Sequence, residues 1–123
     1  MMNARMSLDE SLRWCVRSLA DVAQALVGGG KLIAANFGDH PGTAWEVRQE
    51  LLAGSPLLGW SALTPSLKDA VEGLVSEVAL LPEAAYHEAG VRAFRHQAWA
   101  GVRRAAARFL EVSADFPVDE DGL

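Results

Sequence analysis

Cysteine is nearly missing from this chain: Cys15 stands alone among 123 residues, so no internal disulfide can form. Lysine is scarce as well, two residues against nine arginines, and together with abundant alanine this bias points to a GC-rich bacterial coding sequence. No apolar stretch approaches the ~18 residues that would cross a bilayer. A targeting segment is not expected either, because Met1 to Arg5 lead straight into an amphipathic helical pattern. A cytoplasmic protein with no membrane contact is the expectation.

The motifs that are absent narrow the chemistry further. There is no Glu-x-x-His pair of the kind that builds a di-iron bundle and no His-Glu-x-x-His zinc motif. Gly28-Gly29-Gly30-Lys31 is not a phosphate loop: Ala25 occupies the place of the first glycine, Leu32 that of the Ser or Thr, and the segment follows a helical pattern instead of a strand. No serine sits in a strand-to-helix elbow, and Cys15 falls among apolar positions where a small buried hydrophobe is wanted. We therefore assign no catalytic residue, no metal and no cofactor. Glu83, His87 and His96 remain the one set from which a small metal-assisted enzyme would have to be built, and His40 beside Asp39 reads as a turn residue.

What is present describes an ordinary globular chain. Half of the residues are hydrophobic and 22% are charged, values that fit a packed domain and not a disordered one. The length fits one domain, and a chain of this size buries roughly two thirds of the surface it exposes when unfolded. The net charge of −5 is unevenly spread. Pro117 to Leu123 carry three acids and no base, whereas Val91 to Leu110 carry five arginines and no acid. We read 1–116 as a single helical-bundle domain and 117–123 as an acidic flexible tail.

Apolar periodicity organises the body. Leu8, Leu12, Cys15, Leu19, Val22 and Leu26 step at alternating spacings of four and three, which predicts a helix over about 7–27 with one apolar seam. Ser7-Leu8-Asp9-Glu10 is a capping box at its start, and the three glycines stop it. Lys31 to Phe37 fits either a short strand or one or two helical turns, and because a lone strand would have no obvious partner a short helix is the expectation. A second capping box, Thr43 with Glu46, begins a helix over about 44–53 that Gly54-Ser55-Pro56 ends. The connector from Pro56 to Leu63 carries Trp60 and is expected to fold onto the bundle. Thr64-Pro65 opens the next helix, whose Leu67, Val71, Leu74, Val78 and Leu81 repeat the four-three seam, so this helix and the first are expected to pair antiparallel. The last helix is expected to start at Pro82 or just after Gly90 and run to about Val112. The predicted fold is all-α, a small bundle of three long helices plus one or two short ones.

Two groups of residues stand out from this pattern. Arg92, His96, Trp99 and Arg103 step by four, three and four, which on one continuous helix aligns them on one face with Arg95 alongside. Cations flanking a ring bind phosphates or an acidic protein surface; the plainer alternative is a solvated face with Trp99 closing the core edge. The acidic tail is a candidate internal competitor for the same stripe. Trp14 projects roughly 120° away from the seam of the first helix, among Arg13, Arg17 and Asp21. Either the segment 31–63, with Trp45 and Trp60, covers it, or a partner or second copy of the chain does.

The functional expectation is a non-enzymatic protein-protein interaction module of a bacterial cytoplasm: an inhibitor, immunity-type antidote, adaptor or assembly subunit. Trp14, Arg92, Arg95, His96, Trp99 and Arg103 are the expected contact residues. A homo-oligomer is compatible with this reading. The alternative is an anion or nucleic-acid binder using the arginine-rich last helix. Sequence-specific DNA reading is disfavoured, because about ten residues separate the two middle helices where a helix-turn-helix allows three or four.

Overall fold

The computed structural model describes residues 7–114. Residues 1–6 and 115–123 lie outside the described residues, and the expected acidic tail at 117–123 falls among them. In chain order the elements are α1 (Leu8–Gly28), α2 (Gly30–Phe37), α3 (Thr43–Leu52), α4 (Pro65–Ala79) and α5 (Ala98–Ser113). A 3-10 turn at Ser55–Gly59 joins α3 to α4, and two more, Glu83–Ala85 and Val91–Arg95, lie between α4 and α5. The predicted all-α bundle is what forms: three long helices, α1, α4 and α5, and two short ones, α2 and α3.

Local chemistry explains most boundaries. Ser7 and Glu10 close the capping box reciprocally: Glu10 N donates to the Ser7 hydroxyl at 3.1 Å and Ser7 N to the Glu10 carboxylate at 2.9 Å. Gly29 ends α1 with φ +102°, a backbone state that a Cβ strongly disfavours, and α2 begins at the next residue. Leu67 N donates to the Thr64 hydroxyl at 3.2 Å, with Pro65 in the first helical position where its missing N–H costs nothing. The expected capping box of α3 does not form. Thr43 lies inside the helix and is fully buried; its Oγ1 donates to Gly38 O and accepts from His40 N, both at 2.9 Å, so it knots the preceding turn.

Packing differs from the expectation in one respect that matters for the site. The seams of α1 and α4 do not pair with each other; both helices pack chiefly on α5, which lies between them. The reason is visible along α5, where Trp99, Val102, Ala106 and Phe109 are all buried and give it apolar surface toward both neighbours. The α4 seam from Leu67 to Leu81 is buried throughout. The α1 seam is buried only from Leu19 on: Leu8 is 73% exposed and Leu12 and Cys15 are half-buried. Toward its C-terminal end α2 folds back on α1, and Ala23 and Ala25 are covered as well. The 56–63 connector folds in as expected, burying Leu57, Trp60 and Leu63, and the Trp60 indole donates to Asp9 Oδ1 at 2.9 Å.

The start of the last helix is the second correction. Helix does not begin at Pro82 or after Gly90 but at Ala98. Glu88 takes a positive φ of 48°, and the chain from Glu83 to Arg95 winds as two short 3-10 turns pinned by Val91 N donating to Asp39 Oδ1 at 3.0 Å and Ala44 N donating to Ala89 O at 3.0 Å.

The turn between α1 and α2 gives a paired test. Gly29→Ala places a Cβ at φ +102° and should cost about 1 to 3 kcal/mol in urea unfolding. Gly30→Ala adds a Cβ that meets nothing within 4 Å on a helical residue and should be neutral or stabilising by about 0.5 kcal/mol.

Candidate binding cleft

Three of the six expected contact residues come together, though not by the route the sequence suggested. Arg92 and Arg95 project from the 3-10 turn Val91–Arg95, and Arg103 from the second turn of α5. They line one cleft of about 470 Å³. Its opposite wall comes from the end of α1 and the start of α2: Val27, Gly29, Gly30 and Ile33. Val91 and Phe94 complete an apolar floor.

The geometry is held from beneath. Trp99 is fully buried and its indole donates to Ala85 O at 2.9 Å. Phe94 packs on that indole with ring centroids 4.5 Å apart and planes tilted by 49°. The Phe94 carbonyl in turn accepts from Arg103 Nη1 at 2.7 Å, which anchors the guanidinium at the cleft. Phe94, which lies between the arginines at 92 and 95, is thereby locked on both its ring and its backbone.

Electrostatically the cleft is one-sided. Ion pairs among the described residues join His40 to Glu46, His87 to Glu88 and Arg108 to Asp69, and none uses Arg92, Arg95 or Arg103. The described lining holds no carboxylate, imidazole, thiol or hydroxyl. No side chain caps the N-terminus of α2, whose open backbone at Gly29 and Gly30 adds positive potential of the same sign. Guanidinium groups held this way present forked donors to carboxylate or phosphate oxygens. A guanidinium is a hydrogen-bond donor and not an acceptor, so these groups suit recognition of an anion more than proton transfer.

The other expected contact residues are placed elsewhere. Trp99 is core, not surface, with its indole bonded to Ala85 O and covered by Phe94; as a contact residue it is corrected. His96 lies before α5 and its Nδ1 accepts from Ala98 N at 3.1 Å, so the four-residue stripe does not form. Trp14 is 52% exposed with the Arg17 guanidinium 5.3 Å from its ring centroid, and Trp45 is similarly open; the segment 31–63 leaves half of the Trp14 ring in solvent. Among the described residues no three His, Cys, Asp or Glu side chains form a metal-binding group. Burial pushes the Cys15 thiol up from its ordinary value, and its Sγ donates to Ala53 O at 3.6 Å. No described helix is long and apolar enough to cross a membrane.

The wall from Val27 to Ile33 was not identified from sequence. Its glycines read as a helix stop, which they are, and no local pattern joins them to arginines more than sixty residues later. Compared with protein-family models, curated proteins and solved structures, the chain matches none of them.

The two tryptophans should separate cleanly in denaturation. Trp99→Ala should cost ~3 to 5 kcal/mol, and Trp99→Phe about 1 to 3 kcal/mol by orphaning the Ala85 carbonyl. Trp14→Ala should stay within about 1 kcal/mol, the worth of its cation–π contact; a larger loss would mean that Trp14 is a core residue.

Proposed function

We propose that this chain is a non-enzymatic protein-interaction module that binds an acidic partner protein through the Arg92–Arg95–Arg103 cleft. The observation that carries this reading is the cleft itself: three arginines around an apolar floor, none of them in an ion pair among the described residues. Leaving three like charges side by side costs electrostatic free energy, which an acidic partner reverses on docking. The lining supports recognition and offers no nucleophile or proton-transfer group. The arginine-rich, lysine-poor composition supports a bacterial source, and a cytoplasmic inhibitor, antidote, adaptor or assembly subunit is the role we assign. Half-exposed Trp14 offers a second anchor for the same partner or for another copy of the chain.

Nucleic acid fits the cleft less well. Single-strand binders combine a basic groove with exposed rings on which bases stack. Here Trp99 is fully buried and Phe94 is 6% exposed, so no platform faces the arginines. A net charge of −5 further opposes a polyanion at long range.

The test is affinity capture of the tagged chain from its native cells at physiological salt, with wild type beside an Arg92→Glu/Arg95→Glu variant. One stoichiometric protein that is retained by wild type and reduced on the order of tenfold or more in the variant is the expected result. Recovery of nucleic acid, or of a protein indifferent to the reversal, would overturn the reading.

A further inference from the structure

The cleft does not stop at Arg103. A second, shallower depression of about 360 Å³ shares Val27 and Arg103 with it and runs on over Ala100 and Ala107 of α5. Ala100, Arg103 and Ala107 fall on one helical stripe, so the depression spans roughly 10 Å of α5 at ~1.5 Å per residue, about 6 Å of it past Arg103. The two parts differ in kind. The deep part has Ile33 and Phe94 in its floor, whereas the shallow part is floored by alanine methyl groups and by Val27, which is 48% exposed, and adds Arg104 to the arginines along the groove.

Resting on the interaction reading above, we propose that the groove takes a short acidic segment of a partner protein carrying one bulky apolar side chain. That side chain enters the deep cleft over Val27, Ile33 and Phe94. The neighbouring carboxylates meet Arg92, Arg95 and Arg103, and the segment continues over Ala100 and Ala107.

Three features select this occupant. A deep cleft of this volume lies within the ~300 to 1,000 Å³ range of ligand pockets, but its open continuation along α5 suits a chain that runs on and not an enclosed small molecule. Charge complementarity calls for several carboxylates within a few residues, because the three guanidinium groups line one wall and pair with no acid among the described residues. The apolar floor gives no return to a segment that is acidic alone, so one large hydrophobic residue among the acids is part of the match. A polynucleotide supplies the charge but finds no ring to stack on, and inorganic phosphate supplies nothing for the floor.

Fluorescence anisotropy with defined probes on the full chain tests this directly. The probe is a labelled acetyl-Glu-Asp-Glu-Phe-Asp-Glu-Asp peptide amide in 150 mM salt. It is compared with a Phe-to-Gly peptide, with a peptide in which all acids become their amides, and with an oligothymidylate of equal charge. Both peptide changes should weaken binding about tenfold or more. Arg95→Gln should do the same, and so should Val27→Trp, which fills the cleft from its exposed rim; Lys68→Gln on α4 should leave binding unchanged. Thermal unfolding of each variant confirms that it is folded. Equal binding of the Phe and Gly peptides, tighter binding of the oligothymidylate, or indifference to Val27→Trp overturns the proposal. If the peptides fail while a cellular partner still depends on Arg92 and Arg95, the peptide motif falls and the interaction module stands; if that dependence fails too, both fall.

Discussion

The hydrogen bond from the Trp99 indole to the Ala85 carbonyl is the contact from which the site is built. A fully buried indole N–H needs an acceptor, since leaving it unpaired costs about 1 to 3 kcal/mol. Taking that acceptor from the 3-10 turn fourteen residues earlier ties the irregular stretch between α4 and α5 to the first turn of α5. Phe94 then has an indole to lie on, and its carbonyl accepts from Arg103 of α5. Arg92 and Arg95, on either side of Phe94, are held at the rim by the same arrangement. A continuous helix through this stretch would have set the same residues on an exposed stripe with no wall opposite.

The opposite wall comes from a separate piece of physics. Gly29 reverses the chain at a backbone conformation reserved for glycine, which lays α2 back on α1 and brings its uncapped N-terminus beside the Val91–Arg95 turn. The cleft is thus the place where two interruptions of helix face each other. Each leaves backbone and side chains turned outward that a helix would have used internally, and both carry positive potential.

Much of the fold was legible because it is written in short-range patterns. The Ser7–Glu10 box, the glycine stop after α1, the Thr64-Pro65 start and the α4 seam all depend on residues within a few positions of one another, whereas residues 31–37 fit strand or helix equally well by local pattern. What escaped is nonlocal. The spacing of Arg92, His96, Trp99 and Arg103 fits a helix well, and nothing near Trp99 says that its indole is to be buried with an acceptor at Ala85. The same limit hid the pairing of α1 and α4 with α5, since an apolar seam states that a partner exists and not which one. The Thr43–Glu46 box shows a local pattern losing to a tertiary demand, the tight turn at His40 taking the hydroxyl first. Three of the predicted arginines meet at the site; their tryptophan serves the core beneath it.

The position of α5 bears on how the chain is made. Synthesis delivers α1 through α4 before the helix on which both α1 and α4 pack, so the apolar seams of the first two long helices emerge with their common partner still untranslated. Local helix can form during that interval, but closure of the bundle waits for contacts that span most of the sequence. The nascent chain therefore passes through a stage of exposed hydrophobic stripes, which is when a holding chaperone has most to bind. The cleft, assembled from residues 27–33 and 91–103, comes into being only with that last closure. A partner that recognises it recognises a finished molecule and ignores every unfinished one.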